Sequence, residues 1–241
     1  MDQSFGRDVI ALDDARLFDT RERAASLPRP WRELALLESA SGIPLENLAS
    51  LSIGERDRLL LALRIGTFGN RVDCETRCPS CASRLELSLD ASSLIVAAMP
   101  IDERRLEIAV DDCVVRFRLP DSNDVAAALA GEDLADRVLT TTLTNRERSE
   151  RSLNLRDKVA DRIAELDPQA EIVLDLDCEA CGHRWQSPFD PAAFLFREVE
   201  AYAARLTNEV HLLARAYAWS EESILAMGAS RRRRYIDLVT Q

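Results

Sequence analysis

Two cysteine pairs with the same spacing are the residues of this chain best suited to chemistry. They are Cys78 with Cys81, and Cys178 with Cys181. A C-x-x-C turn presents two thiolates at the spacing that structural zinc sites use, and a tetrahedral ion needs four. Cys178 follows Cys81 by 97 positions, so a shared ion would join two distant parts of the chain. The pattern predicts structural zinc held by these four cysteines.

The remaining cysteines and both histidines are weaker candidates. Cys74 lies four residues before the first pair and is an alternative ligand, although we expect it to be a spare thiol near the site. Cys113 is expected in the core. His183 follows the second pair closely and is expected beside the metal or on the surface, and His211 has a packing or surface role.

Other interpretations of the cysteine pairs stay open at this stage. Free cysteine is often buried, so the four thiols could be reduced and part of a small core. A redox pair is less favoured, because neither motif lies between a strand and a helix as in thioredoxin-like proteins.

A four-thiolate zinc site stabilises a fold and does not catalyse, since no position is left for water or substrate. The chain also lacks an H-E-x-x-H motif, a P-loop, a G-x-G-x-x-G loop and a nucleophile elbow. We therefore predict that the protein is not an enzyme and takes no small-molecule substrate.

Composition limits the other function classes. The chain has 241 residues, is 46% hydrophobic and carries a formal net charge of -11, which allows one large or two small domains. The negative charge repels phosphate backbones and disfavours nucleic acid as the main partner. No signal peptide and no apolar run of about 20 residues is found, so we expect a cytoplasmic protein with reduced cysteines.

The hydrophobic period changes twice and predicts three regions. Residues 1–70 are predicted to be helical, residues 71–190 to be a β region with a helical insertion at about 121–168, and residues 191–241 to be helical. Alternating apolar residues predict strands within 85–89 and 172–176, and after the second cysteine pair. They also predict a hairpin with strands at 106–110 and 115–119, turning at 111–112.

Helix boundary signals are found at several points. Ser52 and Glu55 have the form of a capping box, and Gly66 and Gly69 are expected to end that helix. Asp190-Pro191 is typical of a helix start. The helix that follows carries a near-heptad apolar stripe to residue 217, for which packing into its own core is favoured over a coiled coil or a partner groove. Two short helices are predicted near Ile224 and Tyr235.

Arg231, Arg232, Arg233 and Arg234 form the basic run of the chain, and Tyr235 follows directly. A solvated helix face is the plainer interpretation. The alternative is an arginine patch that binds an acidic protein surface, which makes these five residues tentative partner-binding candidates.

An ordered set of motifs from about residue 50 onward resembles the T-even phage baseplate hub-assembly protein family, whose bacterial relatives occur in prophage-tail and contractile injection system clusters. The segments that carry the resemblance are 54–64, 67–69, the Cys-Pro-x-Cys knuckle, 178–185, 189–190, 194–195, 210–214, 217–221 and the arginine-rich C-terminus. The resemblance implies a non-enzymatic role in building a contractile tail, as an assembly chaperone or a baseplate protein, with other baseplate or hub proteins as partners.

The sequence as a whole predicts an α+β fold, in which a split four-cysteine zinc ribbon with a β-hairpin insertion is flanked by helical N- and C-terminal regions. The expected protein acts through protein–protein contacts, at its cytoplasmic assembly site or incorporated in a tail-like particle. A nucleic-acid-associated zinc-ribbon protein is the first alternative, and a thiol-redox protein is the second.

Overall fold

The computed structural model describes residues 9–97, 106–110, 113–139 and 145–240, with no side-chain description for 145–154 or for Val110, Cys113 and Asp136. Within these ranges the chain is a mixture of helices and small antiparallel hairpins. The helices are α1 (Asp14–Ala25), α2 (Trp31–Ser41), α3 (Leu45–Ala49), α4 (Ile53–Phe68), α5 (Ser122–Leu129), α6 (Leu134–Val138), α7 (Asn145–Leu166), α8 (Pro191–Tyr217), α9 (Glu221–Leu225) and α10 (Ala229–Val239).

Six strands in the described ranges pair as three separate two-stranded antiparallel sheets. The strands are β1 (Arg71–Arg77), β2 (Arg84–Asp90), β3 (Glu107–Val110), β4 (Cys113–Arg116), β5 (Ile172–Asp177) and β6 (Arg184–Phe189). The predicted hairpin is confirmed as β3–β4, although its turn at 111–112 lies outside the described residues. Strand β1 is not predicted by the sequence, because charged residues occupy every second position of its seven.

The main core joins the N-terminal helices to the start of α8. Helices α1, α2 and α4 bury leucine and alanine side chains against the first turns of α8. Ser52 caps α4 by accepting a hydrogen bond from the N–H of Glu55. The helix ends at Gly69, whose φ of 87° suits glycine, and not at Gly66, which lies inside it. The boundaries at residues 70 and 190 stay predictions.

Helix α8 is the longest described element and starts as predicted. The Asp190 side chain accepts a hydrogen bond from the N–H of Ala193, and Pro191 takes the first helical position. Its 27 residues extend about 40 Å. Four residues of its apolar stripe are buried, namely Leu195, Val199, Leu206 and Leu213. Packing into its own core is therefore confirmed for this stripe, and the short helices predicted after it are α9 and α10.

A second, smaller core lies under α7, where apolar residues of β4 and α7 meet. Beside it, the buried Asp124 carboxylate accepts hydrogen bonds from Arg118 at 2.5 and 2.7 Å and from Arg137 at 2.9 Å. Burial raises the pKa of Asp124, but the hydrogen bonds from Arg118, the Asp121 main chain and Arg137 outweigh it and lower the pKa well below its ordinary value. This charged cluster fixes the start of α5 against α6.

A hydrogen bond between a side chain and the main chain links the two cores. The buried Asp167 side chain accepts a hydrogen bond of 2.9 Å from the N–H of Gly54, in the first turn of α4. A Cβ at position 54 would overlap the Asp167 carboxylate, so the close approach requires glycine there. No helix of the described residues is long and apolar enough to cross a membrane.

Candidate metal centre and C-terminal arginine face

Each cysteine pair lies at the tip of a hairpin, in the connection between β1 and β2 or between β5 and β6. The two connections have the same main-chain hydrogen bonds. The N–H of Cys78 donates to the carbonyl of Ser83, and the N–H of Cys178 donates to the carbonyl of His183, both at 2.9 Å. The carbonyls of both cysteines accept a hydrogen bond from the residue four positions later, Ala82 or Gly182. The local sequence thus forms the same knuckle twice.

The residue after the second cysteine of each knuckle has a left-handed backbone. Ala82 has φ of 60° and Gly182 has φ of 73°. Glycine adopts this conformation freely, whereas alanine is strained by its Cβ. The first knuckle therefore has a strained alanine, Ala82, at the position where the second has an unstrained glycine, Gly182.

The structure brings all four predicted cysteines together. Their Sγ atoms lie within 4.8 Å of one another. The Sγ–Sγ distance is 3.7 Å between Cys78 and Cys181 and 3.6 Å between Cys81 and Cys178, far longer than the roughly 2.05 Å of a disulfide. Sulfurs at 2.3 Å from a tetrahedral zinc ion would be separated by about 3.8 Å. The donor set and its spacing fit a four-thiolate metal centre.

The two exposed cysteines of the cluster, Cys81 and Cys181, differ in the direction of their pKa shifts. The hydroxyl and main-chain N–H of Ser83 lower the pKa of the Cys81 thiol to about 6. The main-chain N–H of His183 acts in the same sense on Cys181, but burial and the contacts with the other three cysteine sulfurs together outweigh it, and the pKa of Cys181 is raised to about 12. A metal ion that binds all four sulfurs would displace the remaining protons.

Cys74, His183 and His211 are not part of the cluster. Cys74 is half-buried on β1, opposite Leu87, and is not among the clustered sulfurs. His183 is exposed with its ring stacked on Trp185, with 5.9 Å between the centroids. His211 is exposed on α8. The prediction that Cys113 is in the core concerns a side chain outside the described residues.

Arg64 positions the first hairpin and was not anticipated from the sequence. This buried guanidinium on α4 forms a two-pronged ion pair with Glu198 of α8, at 2.9 and 3.0 Å. It also donates to the main-chain carbonyls of Gly69 and Arg71 at 2.5 Å. Because β1 directly follows α4, the contact fixes the base of the first cysteine hairpin to α8, the helix that follows the second hairpin. An arginine within a leucine-rich helix is the signal that could have revealed it.

The C-terminal arginines divide into buried and exposed residues. Arg232 is only 1% exposed and pairs with Asp14 at 2.6 Å and with Glu209 at 2.9 Å. The interpretation of the basic run as a solvated helix face is therefore wrong for Arg232, which instead fixes α10 to α1 and α8. Its burial also removes it from direct contact with a partner, whereas Arg231, Arg233 and Arg234 are exposed.

Tyr235 is half-buried in an aromatic cluster at the end of α8. Its ring meets those of Tyr217 and Trp219 edge to face, with centroids 5.7 and 4.9 Å apart, and the Arg231 guanidinium lies over it at 5.9 Å. Partly exposed aromatic and arginine side chains are the composition typical of interface hot spots.

Comparison with known proteins places the chain in a class of tail-structure proteins. The family model described as T4 bacteriophage base plate protein matches residues 33–196, a segment that runs from α2 into α8 and contains both cysteine hairpins. The chain therefore belongs to this baseplate protein family, which confirms the family resemblance predicted from the sequence motifs. No curated protein and no solved structure gave a significant match.

Proposed function

We propose that the protein is a non-enzymatic baseplate protein or baseplate-hub assembly chaperone of a contractile tail or contractile injection system, acting through protein–protein contacts. The family match over residues 33–196 is the observation that carries the proposal. The protein would act in the cytoplasm, where tails assemble, and could then be incorporated in the particle.

We also propose that Cys78, Cys81, Cys178 and Cys181 bind one structural zinc ion and that the two hairpins form a split zinc ribbon. Two sulfurs come from each knuckle, and the fit of their spacing to tetrahedral zinc supports this assignment. Bound zinc would leave no open position for catalysis and would hold two distant segments in register. Cys74 is not needed for a complete ligand set.

The exposed arginines of α10 are the surface that we propose for partner contact. Co-expression with the sheath, tube and spike genes of the same cluster, followed by affinity purification, tests it. We expect Arg233→Ser/Arg234→Ser to reduce recovery of the baseplate partners at least fivefold. Arg23→Ser/Arg197→Ser, which removes two exposed arginines elsewhere, should not reduce it. Undiminished recovery with the α10 variant would assign the contact to another surface, and no partner recovered by the unaltered chain would contradict the baseplate role.

One observation favours the thiol-redox alternative. Cys81 is exposed and its thiol pKa is lowered to about 6, which is a property of reactive cysteines. Thiol labelling of the purified protein separates the two functions. A zinc-bound centre protects all four sulfurs until a chelator is added, whereas a redox pair reacts at Cys81 without one. The exposed carboxylates near the knuckles, such as Glu75, Asp175 and Glu179, disfavour the nucleic-acid alternative.

A further inference from the structure

A groove of about 690 Å³ lies between the two cysteine hairpins. Residues 83–87 of the first hairpin form one wall, and residues 175–180, at the end of β5 and in the second knuckle, form the other. The first wall is therefore mainly the start of β2, whereas the second combines the last three residues of β5 with the turn of the second knuckle.

Each wall of this groove belongs to a strand with a free edge. In the described part of the chain β2 pairs only with β1, and β5 pairs only with β6. A strand at the edge of a sheet presents unpaired main-chain N–H and C=O groups, which can bind another extended segment. Here β2 and the last three residues of β5 line one groove, so a segment lying in it would run beside an edge strand on each side.

The side chains of the groove are mostly acidic. Four carboxylates and one guanidinium line it, and that guanidinium, Arg84, already pairs with Glu75 at 2.6 Å and with Glu86 at 3.3 Å. Asp177 and Glu179 are exposed and make no ion pair with the described residues. A zinc ion bound by four thiolates would add a net charge of about -2 to the same wall. The groove therefore attracts positive charge.

Apolar side chains alternate with the charged ones along the groove. Leu85 and Leu87 on β2 are half-buried, and Leu176 on β5 is 7% exposed. Successive side chains of a bound strand point to opposite faces. A complementary segment would accordingly alternate aliphatic residues, which contact the leucines, with basic residues, which face the carboxylates.

We propose that this groove binds an extended segment of a partner protein, in which arginine or lysine alternates with aliphatic residues, as an added β-strand. The wall of residues 83–87 accommodates about five residues of such a segment, or roughly 17 Å. The groove shares no residue with the arginine face of α10, so the protein would have two separate contact surfaces.

Binding of a synthetic probe tests both parts of this inference. The probe is a nonapeptide of alternating arginine and valine, added to the reduced, metal-loaded full-length protein and followed by calorimetry. A matched peptide of the same sequence carries N-methyl groups on its valine amides, which blocks strand pairing on one edge and keeps the charge. We expect the N-methylated peptide to bind about tenfold more weakly, which corresponds to the loss of one or two net hydrogen bonds.

Charge complementarity is tested with a pair of variants. Asp177→Asn/Glu179→Gln should weaken binding of the unmethylated peptide about fivefold while keeping the metal content unchanged. Asp157→Asn/Asp161→Asn removes the same charge from exposed positions on α7 and should leave the affinity as it was. Hydrogen exchange should slow at the amides of β2 and β5 when the peptide binds.

Three results would overturn the inference. They are no binding of the probe, the same affinity for the N-methylated and unmethylated peptides, or an equal loss of peptide affinity in the two charge variants. The assay contains no baseplate protein, so its failure would leave the proposed baseplate role untouched. Conversely, peptide binding would persist if that role were wrong.

Discussion

Replacing Cys178 with serine should remove the metal and destabilise the whole protein. Cys178 is buried and lies 3.6 Å from the sulfur of Cys81, 97 positions earlier in the chain. A cross-link that closes a loop of about 100 residues contributes roughly 4–5 kcal/mol in the chain-entropy account. Because a structural site contributes directly to folding, we expect Cys178→Ser to lower the free energy of unfolding by about 4 kcal/mol.

The expected loss is large enough to measure by two methods. For a chain of this size, each kcal/mol corresponds to roughly 2–4 °C in melting temperature, so the variant should melt about 8–16 °C lower. Elemental analysis of the reduced protein should find one zinc per chain before the substitution and much less after it. Urea unfolding gives the free energy, and excess chelator should shift the unaltered protein in the same direction.

Cys74→Ser is the matched control for this substitution. It makes the same chemical change at a half-buried cysteine that is not among the clustered sulfurs, so it should keep the zinc and cost about 1 kcal/mol or less. The ligand assignment would be refuted if Cys178→Ser retained one zinc per chain, or if Cys74→Ser lost it just as completely.

Three further predictions concern single residues of the fold. Ala82→Gly should raise the free energy of unfolding by about 1 kcal/mol in thermal melts. Gly182→Ala should lower it by a similar amount, since a Cβ at position 182 meets no atom within 4 Å and only the backbone strain changes. Effects of equal size and the same sign would contradict the equivalence of the two knuckles. Arg232→Met should lower the free energy of unfolding, measured in urea, by about 3–5 kcal/mol, because two carboxylates lose their buried partner. Arg233→Met should lower it by less than about 0.5 kcal/mol. Burial raises the pKa of Asp57 to about 6, so the folded state holds this proton more tightly than the unfolded state does. Between pH 4 and 7 the unaltered protein should therefore lose about 2–3 kcal/mol relative to Asp57→Asn, and parallel pH profiles would contradict this.

Features that depend on neighbouring residues were predictable from the sequence. The start of α8 at Asp190-Pro191, the alternation of β5 and the form of both knuckles follow from local backbone preferences. Strand β1 was harder to recognise, since Val72 and Cys74 alternate with charged residues in a short segment. The end of α4 at Gly69 was not predictable, because either glycine can end a helix and only the structure shows that Gly69 has the positive φ.

The sequence by itself determined the two C-x-x-C knuckles, the strands β2, β5 and β6 beside them and the family, because each is encoded by residue types at short spacing. Only the tertiary structure decided that the four sulfurs meet, that Arg64 fixes the base of the first hairpin to α8, and that Arg232 is buried while its neighbours are exposed. These contacts join residues far apart in the chain, and a side chain's type does not specify its distant partner. Burial then decides whether an arginine fixes the fold or remains available to another protein.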